Sequence, residues 1–204
     1  MAYFSRRGGS LYTDAVSAVT QLGARSVRPT TADVARHLGT DEVEVSKVFP
    51  DDQRLMEAAL ENAMMLLHDQ CVRSVVKVSA DDPLAQFLAL ADAYIEWAHD
   101  HPQEFAILGD IPAHMTPQSG NLLRYETALH RLMMQMLLRA RELGVMDDDV
   151  DPPLLIATAR SFAYGVAGKM LSGNLSRWTG AATDIDAARA ALHLFSRKII
   201  KAPA

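Results

Sequence analysis

The chain has 204 residues, 49% of them hydrophobic and 22% charged. That is ordinary globular composition, and it excludes a wholly disordered or fibrous protein. A formal net charge of −5 excludes a surface that attracts nucleic acid everywhere, so any such contact must be local. The single cysteine, Cys71, allows no intramolecular disulfide and fits a reducing compartment. The opening MAYFSRRGGS carries no apolar core after its arginines and does not read as a secretory signal. No apolar run reaches the roughly 18 residues of a membrane span. The expected location is therefore the cytoplasm.

The periodicity is helical throughout. Leu11, Ala15, Ala18, Val19 and Leu22 form one apolar stripe on a first short helix, which Gly23 stops. Thr30 with Asp33 three residues on is a variant capping box. It opens a second short helix with Val34, Ala35 and Leu38 inward and Gly39 at its end. A third starts near Thr40 or Asp41, turns Val45, Val48 and Phe49 inward, and ends at Pro50. Six further helices are predicted: 52 to about 78, 83–101, 102 to about 109, about 117–143, about 153–172 and about 183–199. Pro83 suits the first turn of the second of these, and Gly144 ends the fourth. No alternating run bounded by hairpin turns occurs, so the expected fold is all-α. Its division is a three-helix N-terminal domain over 1–51 and a larger helical domain over 52–204.

Two short helices joined by a tight turn at Gly39 make a helix-turn-helix. The string TTADVARHLGTDEVEVSKVFPDDQRL, residues 30–55, resembles the N-terminal domain of the TetR family of transcription regulators. The matching residues are Thr30, Asp33-Val34-Ala35, Gly39, Phe49-Pro50 and Leu55. The resemblance is detailed over residues 10 to 60 and architectural beyond. It implies a DNA-binding surface drawn from Arg6, Arg7, Arg28, Thr30, Thr40, Glu42, Glu44, Ser46 and Lys47. It also implies a C-terminal domain that binds a small ligand and dimerises. Several positions depart from the family. Glu44 replaces a phosphate-bonding Thr, Ser46 replaces a Tyr with the same task, and Asp52 stands where a backbone-binding Lys is common. Two residues are inserted around Arg25 to Arg28. Residues 1 to 60 hold seven basic and eight acidic side chains, an unfavourable balance for gripping phosphates. A lone Glu can read cytosine through its N4 donor, and Arg6, Arg7, Arg25 and Arg28 can form a backbone-gripping rim. Two readings stay open: a working DNA module, or a helix-turn-helix kept as a scaffold with DNA binding weakened or lost.

In the longer domain, the family resemblance implies a central apolar cavity lined by some of Met64, His68, Tyr94, Trp97, Phe105, Tyr125, Leu129, Met133 and Phe162. Methionines suit such a lining because they adapt their shape. Residue by residue, the same side chains read more readily as core filling, and only the resemblance points to a cavity. The last two helices look like an interface. The eighth carries small residues, Ala157, Gly165 and Gly168 among them. The ninth spaces Ile185, Ala188, Leu192, Phe195 and Ile199 at 3, 4, 3, 4, a heptad-like seam. Paired about a two-fold axis, these helices would make a four-helix bundle, with Ala157, Gly165, Gly168, Ile185, Leu192, Phe195 and Ile199 at the dimer interface. The alternative is that the seam packs on its own chain.

Catalysis has no support in the sequence, since nucleophile elbows, phosphate loops and dinucleotide fingerprints are all missing. Cys71 sits among apolar neighbours and reads as a structural thiol. His99 and His101 flank a helix end at a spacing that points their rings apart, so no metal and no cofactor is expected. The reading is a homodimeric DNA-binding regulator, a repressor released by a small apolar or amphipathic molecule. Its rival is a TetR-like ligand- or partner-binding module with weakened or lost DNA binding.

Overall fold

The computed structural model describes residues 10–23, 28–109 and 120–200. These hold ten helices: α1 (Leu11–Gly23), α2 (Thr31–Leu38), α3 (Glu42–Val48), α4 (Asp52–Val75), α5 (Pro83–Asp100), α6 (Pro102–Gly109), α7 (Gly120–Glu142), α8 (Pro152–Leu171), α9 (Leu175–Thr179) and α10 (Asp184–Ile199). No strand occurs among the described residues, and the fold is all-α. Among the described residues, no helix is long and apolar enough to cross a membrane. The helix the sequence does not signal is α9. Five residues are too few to display a helical period, and Gly173 and Gly180, at φ 68° and 72°, bracket it. The helix predicted to run to about 78 ends at Val75.

The described residues fall into two compact units. The first takes residues 1–64 and 103–122. Its interior holds Val16 and Val19 of α1, Val34 and Ala35 of α2, Val45 of α3, then Phe49, Leu55 and Ala59. The Tyr12 ring stacks on Phe49 at 5.1 Å. Gly23 sits at a close approach: a Cβ there would lie 3.0 Å from Ile107 Cγ2 of α6, which would have to give way by a few tenths of an ångström.

The second unit takes residues 65–102 and 123–204. One cluster of its core joins Val75, Phe87, Met136, Leu137, Ala140, Val145, Met146, Ile156 and Ile200. α10 packs against α5 and α8, with Ile95, Ala188 and Leu192 buried. Three of the unit's helix starts have a local cause. Asp82 accepts from the Ala85 amide at 2.9 Å ahead of Pro83, Pro152 and Pro153 open α8, and Thr183 accepts from the Asp186 amide at 3.1 Å.

Candidate nucleic-acid interface

The geometry of the reading module starts with its caps. The Thr30 hydroxyl accepts from the Asp33 amide at 3.1 Å. The Asp33 carboxylate in turn accepts from the Thr30 amide at 3.1 Å and from its hydroxyl at 2.7 Å. This closed capping box fixes the start of α2. The Thr30 side chain and amide, together with the Arg36 guanidinium, hold the Asp33 carboxyl below its ordinary range. Gly39 at φ 66° gives its amide to the carbonyls of Ala35 and Arg36, a left-handed stop that costs a side-chain-bearing residue more than glycine. Asp41 then accepts from the Val43 amide at 2.9 Å and starts α3.

α3 anchors on Val45, which is fully buried, and leaves Glu42, Val43, Glu44, Ser46 and Lys47 exposed. The cations of this region are turned on its own acids. Arg36 Nη1 lies 2.9 Å from Asp33, Lys47 Nζ 2.5 Å from Glu44, and Arg54 Nη1 3.0 Å from the buried Glu57. Gln53 also donates to Glu57, at 2.9 Å. Arg28 is exposed. Arg6, Arg7 and Arg25 lie outside the described residues. Thr40 is half-buried and sits in the turn between the two helices. Thr30, expected to meet DNA, is engaged by Asp33.

Asp52 has a role the sequence did not reveal. Its Oδ1 accepts from the Thr31 amide at 2.6 Å, across 21 residues of chain. A carboxylate thus occupies the amide at the start of α2, where an anion is favoured by the helix dipole. The start of α4 is held separately, by the Arg54 amide on Asp51 at 2.8 Å.

The expected cavity residues divide. Met64 and Phe105 are buried in the first unit. In the second, the His68 and Tyr125 rings meet at 5.3 Å and those of Tyr94 and Trp97 at 6.1 Å. Burial holds the Tyr94 phenol well above its ordinary range, with Tyr164 and Cys71 adding to the effect and Arg160 opposing it. Burial also pushes the Cys71 thiol up to about 12. Leu129 is half-buried, and Met133 packs against the core cluster. Phe162 departs from this group: it is 38% exposed and stacks on Phe195 at 5.0 Å.

The interface residues also divide. Ala157 and Gly165 are exposed, and Gly168, Ile185, Phe195 and Ile199 half-buried. A Cβ on Gly165 or Gly168 would meet nothing within 4 Å, so no neighbour in the protomer requires these glycines. Leu192, by contrast, is buried in its own protomer, and Ile199 packs against the core cluster. The seam turns partly inward because α10 must cover α5. The exposed apolar residues nearby are Leu194 at 62% and Leu154 at 64%. Between α5 and α10 a ladder of polar contacts forms. His193 Nε2 lies 2.8 Å from Asp92, and Arg189 Nη2 2.6 Å from Glu96. Gln70 of α4 reaches the same Glu96 at 3.3 Å. The signal for it was two acids four apart on one helix and two bases four apart on another.

Residues 87–194 match the family model described as tetracyclin repressor-like, C-terminal domain. The chain belongs to the TetR family of transcriptional regulators. No curated protein matches it. Solved structures share the TetR fold at low identity. A Rhodococcus sp. RHA1 protein of unknown function is 22% identical, with a TM-score of 0.73 over 97% of this chain and 100% of that one. The ketosteroid transcriptional regulator KstR2 of Mycobacterium tuberculosis is 20% identical, with a TM-score of 0.69 over 98% and 97%. The fatty acid degradation regulator FadR of Bacillus halodurans is 12% identical, with a TM-score of 0.71 over 94% and 96%. At these identities the likeness is one of fold, and it extends along nearly the whole TetR-like chain.

Proposed function

We propose that this TetR-family protein is a cytoplasmic, homodimeric, ligand-responsive DNA-binding regulator, a repressor released by a small apolar or amphipathic molecule. Residues 1–51 would carry the DNA contact and 52–204 the ligand and dimer contacts. The observation that carries the reading is the helix-turn-helix. Capping at Thr30, Gly39 and Asp41 holds two short helices, and α3 projects Val43, Ser46 and Lys47 outward from the buried Val45. The ligand class rests on the aromatic and thioether side chains gathered in the second unit. It accords with the fold's occurrence in regulators described for ketosteroids and for fatty acid degradation. No covalent chemistry is involved. Ligand binding would favour a conformer whose two reading helices no longer match successive major grooves.

A second reading is favoured by a specific observation. Arg36, Lys47 and Arg54 are each paired with a carboxylate three residues away, and Asp52 fills the Thr31 amide. A module arranged this way has little positive charge left for phosphates and could serve as a scaffold. Fluorescence anisotropy on a random duplex pool and on the duplex upstream of the reading frame separates the two. The regulator reading expects binding at about 50 mM salt that weakens steeply by about 200 mM and is released by an apolar ligand such as a steroid or a fatty acid. No binding at the lower salt establishes the scaffold reading instead.

A further inference from the structure

Helix α3 carries one side chain that folding does not account for. Val43 is 61% exposed. Valine is a poorer helix former than alanine or lysine, because its branched β-carbon loses rotamers against the preceding turn. At this exposure it gains little burial in return. Its position is also specific. Successive helix residues are about 100° apart, so Val43 and Lys47 each stand about 200° from the buried anchor Val45 and share the outermost line of the helix. Lys47 is tied to Glu44 at 2.5 Å. Ser46 and Glu44, each about 100° from Val45 on opposite sides, flank the line as polar groups. Val43 is therefore the apolar group that the first turn of the reading helix presents, held in place by the Asp41 cap on its own amide. The exposed Val48, at 37%, lies at the far end of the helix, away from the N-terminal turn that meets base edges in this motif.

Resting on the DNA-binding reading above, we infer that Val43 is a specificity-determining residue that selects thymine in each half-site by contact with its 5-methyl group. The major-groove edges of the bases are polar except for that methyl. An aliphatic side chain pairs with no base donor or acceptor, thymine O4 included, and the 5-methyl of thymine alone offers it an apolar surface in return. Ser46 and the acids beside it supply the polar contacts, so the valine adds a preference that hydrogen bonds alone would not.

The test uses the full-length protein and a duplex selected by it from a random pool at low salt. Each thymine of the selected duplex is replaced in turn by deoxyuridine, which keeps the hydrogen-bonding edge and lacks the methyl. Wild type should lose about fourfold affinity per half-site at one symmetry-related thymine, the worth of burying one methyl group. Val43→Ser should bind the thymine and deoxyuridine duplexes equally, with an unchanged melting temperature because the side chain is exposed. Val43→Ala, which keeps an apolar contact of smaller size, should retain part of the discrimination. Selected duplexes bound by wild type with no sensitive thymine, or a Val43→Ser variant that keeps the wild-type sensitivity, would overturn the inference while leaving DNA binding intact. Failure of wild type to select any duplex would overturn the DNA-binding reading and this inference with it.

Discussion

Replacing Asp52 by lysine should move stability and DNA affinity in opposite directions. Asp52 Oδ1 takes the Thr31 amide at 2.6 Å and stands at the first residue of α4. The variant loses a hydrogen bond to a charged acceptor, which in this exposed position sits at the lower end of about 1.5–3 kcal/mol. It also places a cation at a helix N-terminus, a further cost of about 0.3–1 kcal/mol. A total near 2 kcal/mol corresponds to a fall in Tm of about 4–8 °C for a chain of this size. On DNA the same change frees the Thr31 amide and supplies a cation. One new phosphate contact per protomer steepens the log-affinity against log-salt slope by about 0.9, or about 1.8 for a dimer. Calorimetry gives the first quantity and anisotropy across a salt series the second. Asp52→Asn serves as the control: it removes the charge but keeps an acceptor oxygen for Thr31, so it should lose less stability and gain no slope. A lower Tm with an unchanged slope would refute the claim that Asp52 holds a phosphate position. An unchanged Tm would refute the clamp itself.

Asp33→Asn should destabilise the protein at neutral pH, but the difference from wild type should vanish in acid. The folded carboxyl lies below its ordinary value of 3.8, so its contribution is present above that value and lost as the pH falls through the lower, folded one. Melting curves across that range test this, and a gap that persists at the acid end refutes it. Cys71, buried with its thiol pushed up to about 12, should resist alkylation at pH 8 until denaturant is added; rapid labelling of the native protein would contradict its burial. Leu194→Glu, at an exposed position, should give a folded monomer of 22.3 kDa where wild type scatters light at twice that mass. Leu192→Glu should instead lower Tm, because it buries an unpaired charge at a cost of several kcal/mol. A Leu194→Glu variant that stays dimeric would place the interface elsewhere.

Much of the reading module was legible because its signals are local. The Thr30–Asp33 box, the Gly39 stop, the Asp41 cap and the end at Phe49 and Pro50 all lie where the residues suggested. The inward face of α3 was legible in part: Val45 and Phe49 are buried, while Val48, expected inward, is 37% exposed. A seven-residue helix buries a narrow strip, and Val48 falls at its edge. The charge balance foretold too few cations, and the structure adds that those described are largely paired off. In the second unit the sequence identified apolar positions but not their destinations. The heptad spacing put Leu192 on the seam and Leu194 off it, but only the packing of α10 against α5 decided that Leu192 is buried within its own protomer. Phe162 was grouped with interior aromatics for the same reason, and it stacks on Phe195 at the surface.

Sequence alone determined the all-α class, most helix boundaries and the helix-turn-helix, since hydrophobic period, caps and glycine stops act between residues within about four positions of each other. Tertiary structure decided which carboxylate holds which donor. Asp52 reaches Thr31 over 21 residues, and Asp92 meets His193 over 101. Such pairings depend on which helix faces pack together, and that is set by the burial of many apolar side chains at once. An acid at the start of α4 therefore reads in sequence only as a lost cation, and in the folded protein as the clamp on the first turn of α2.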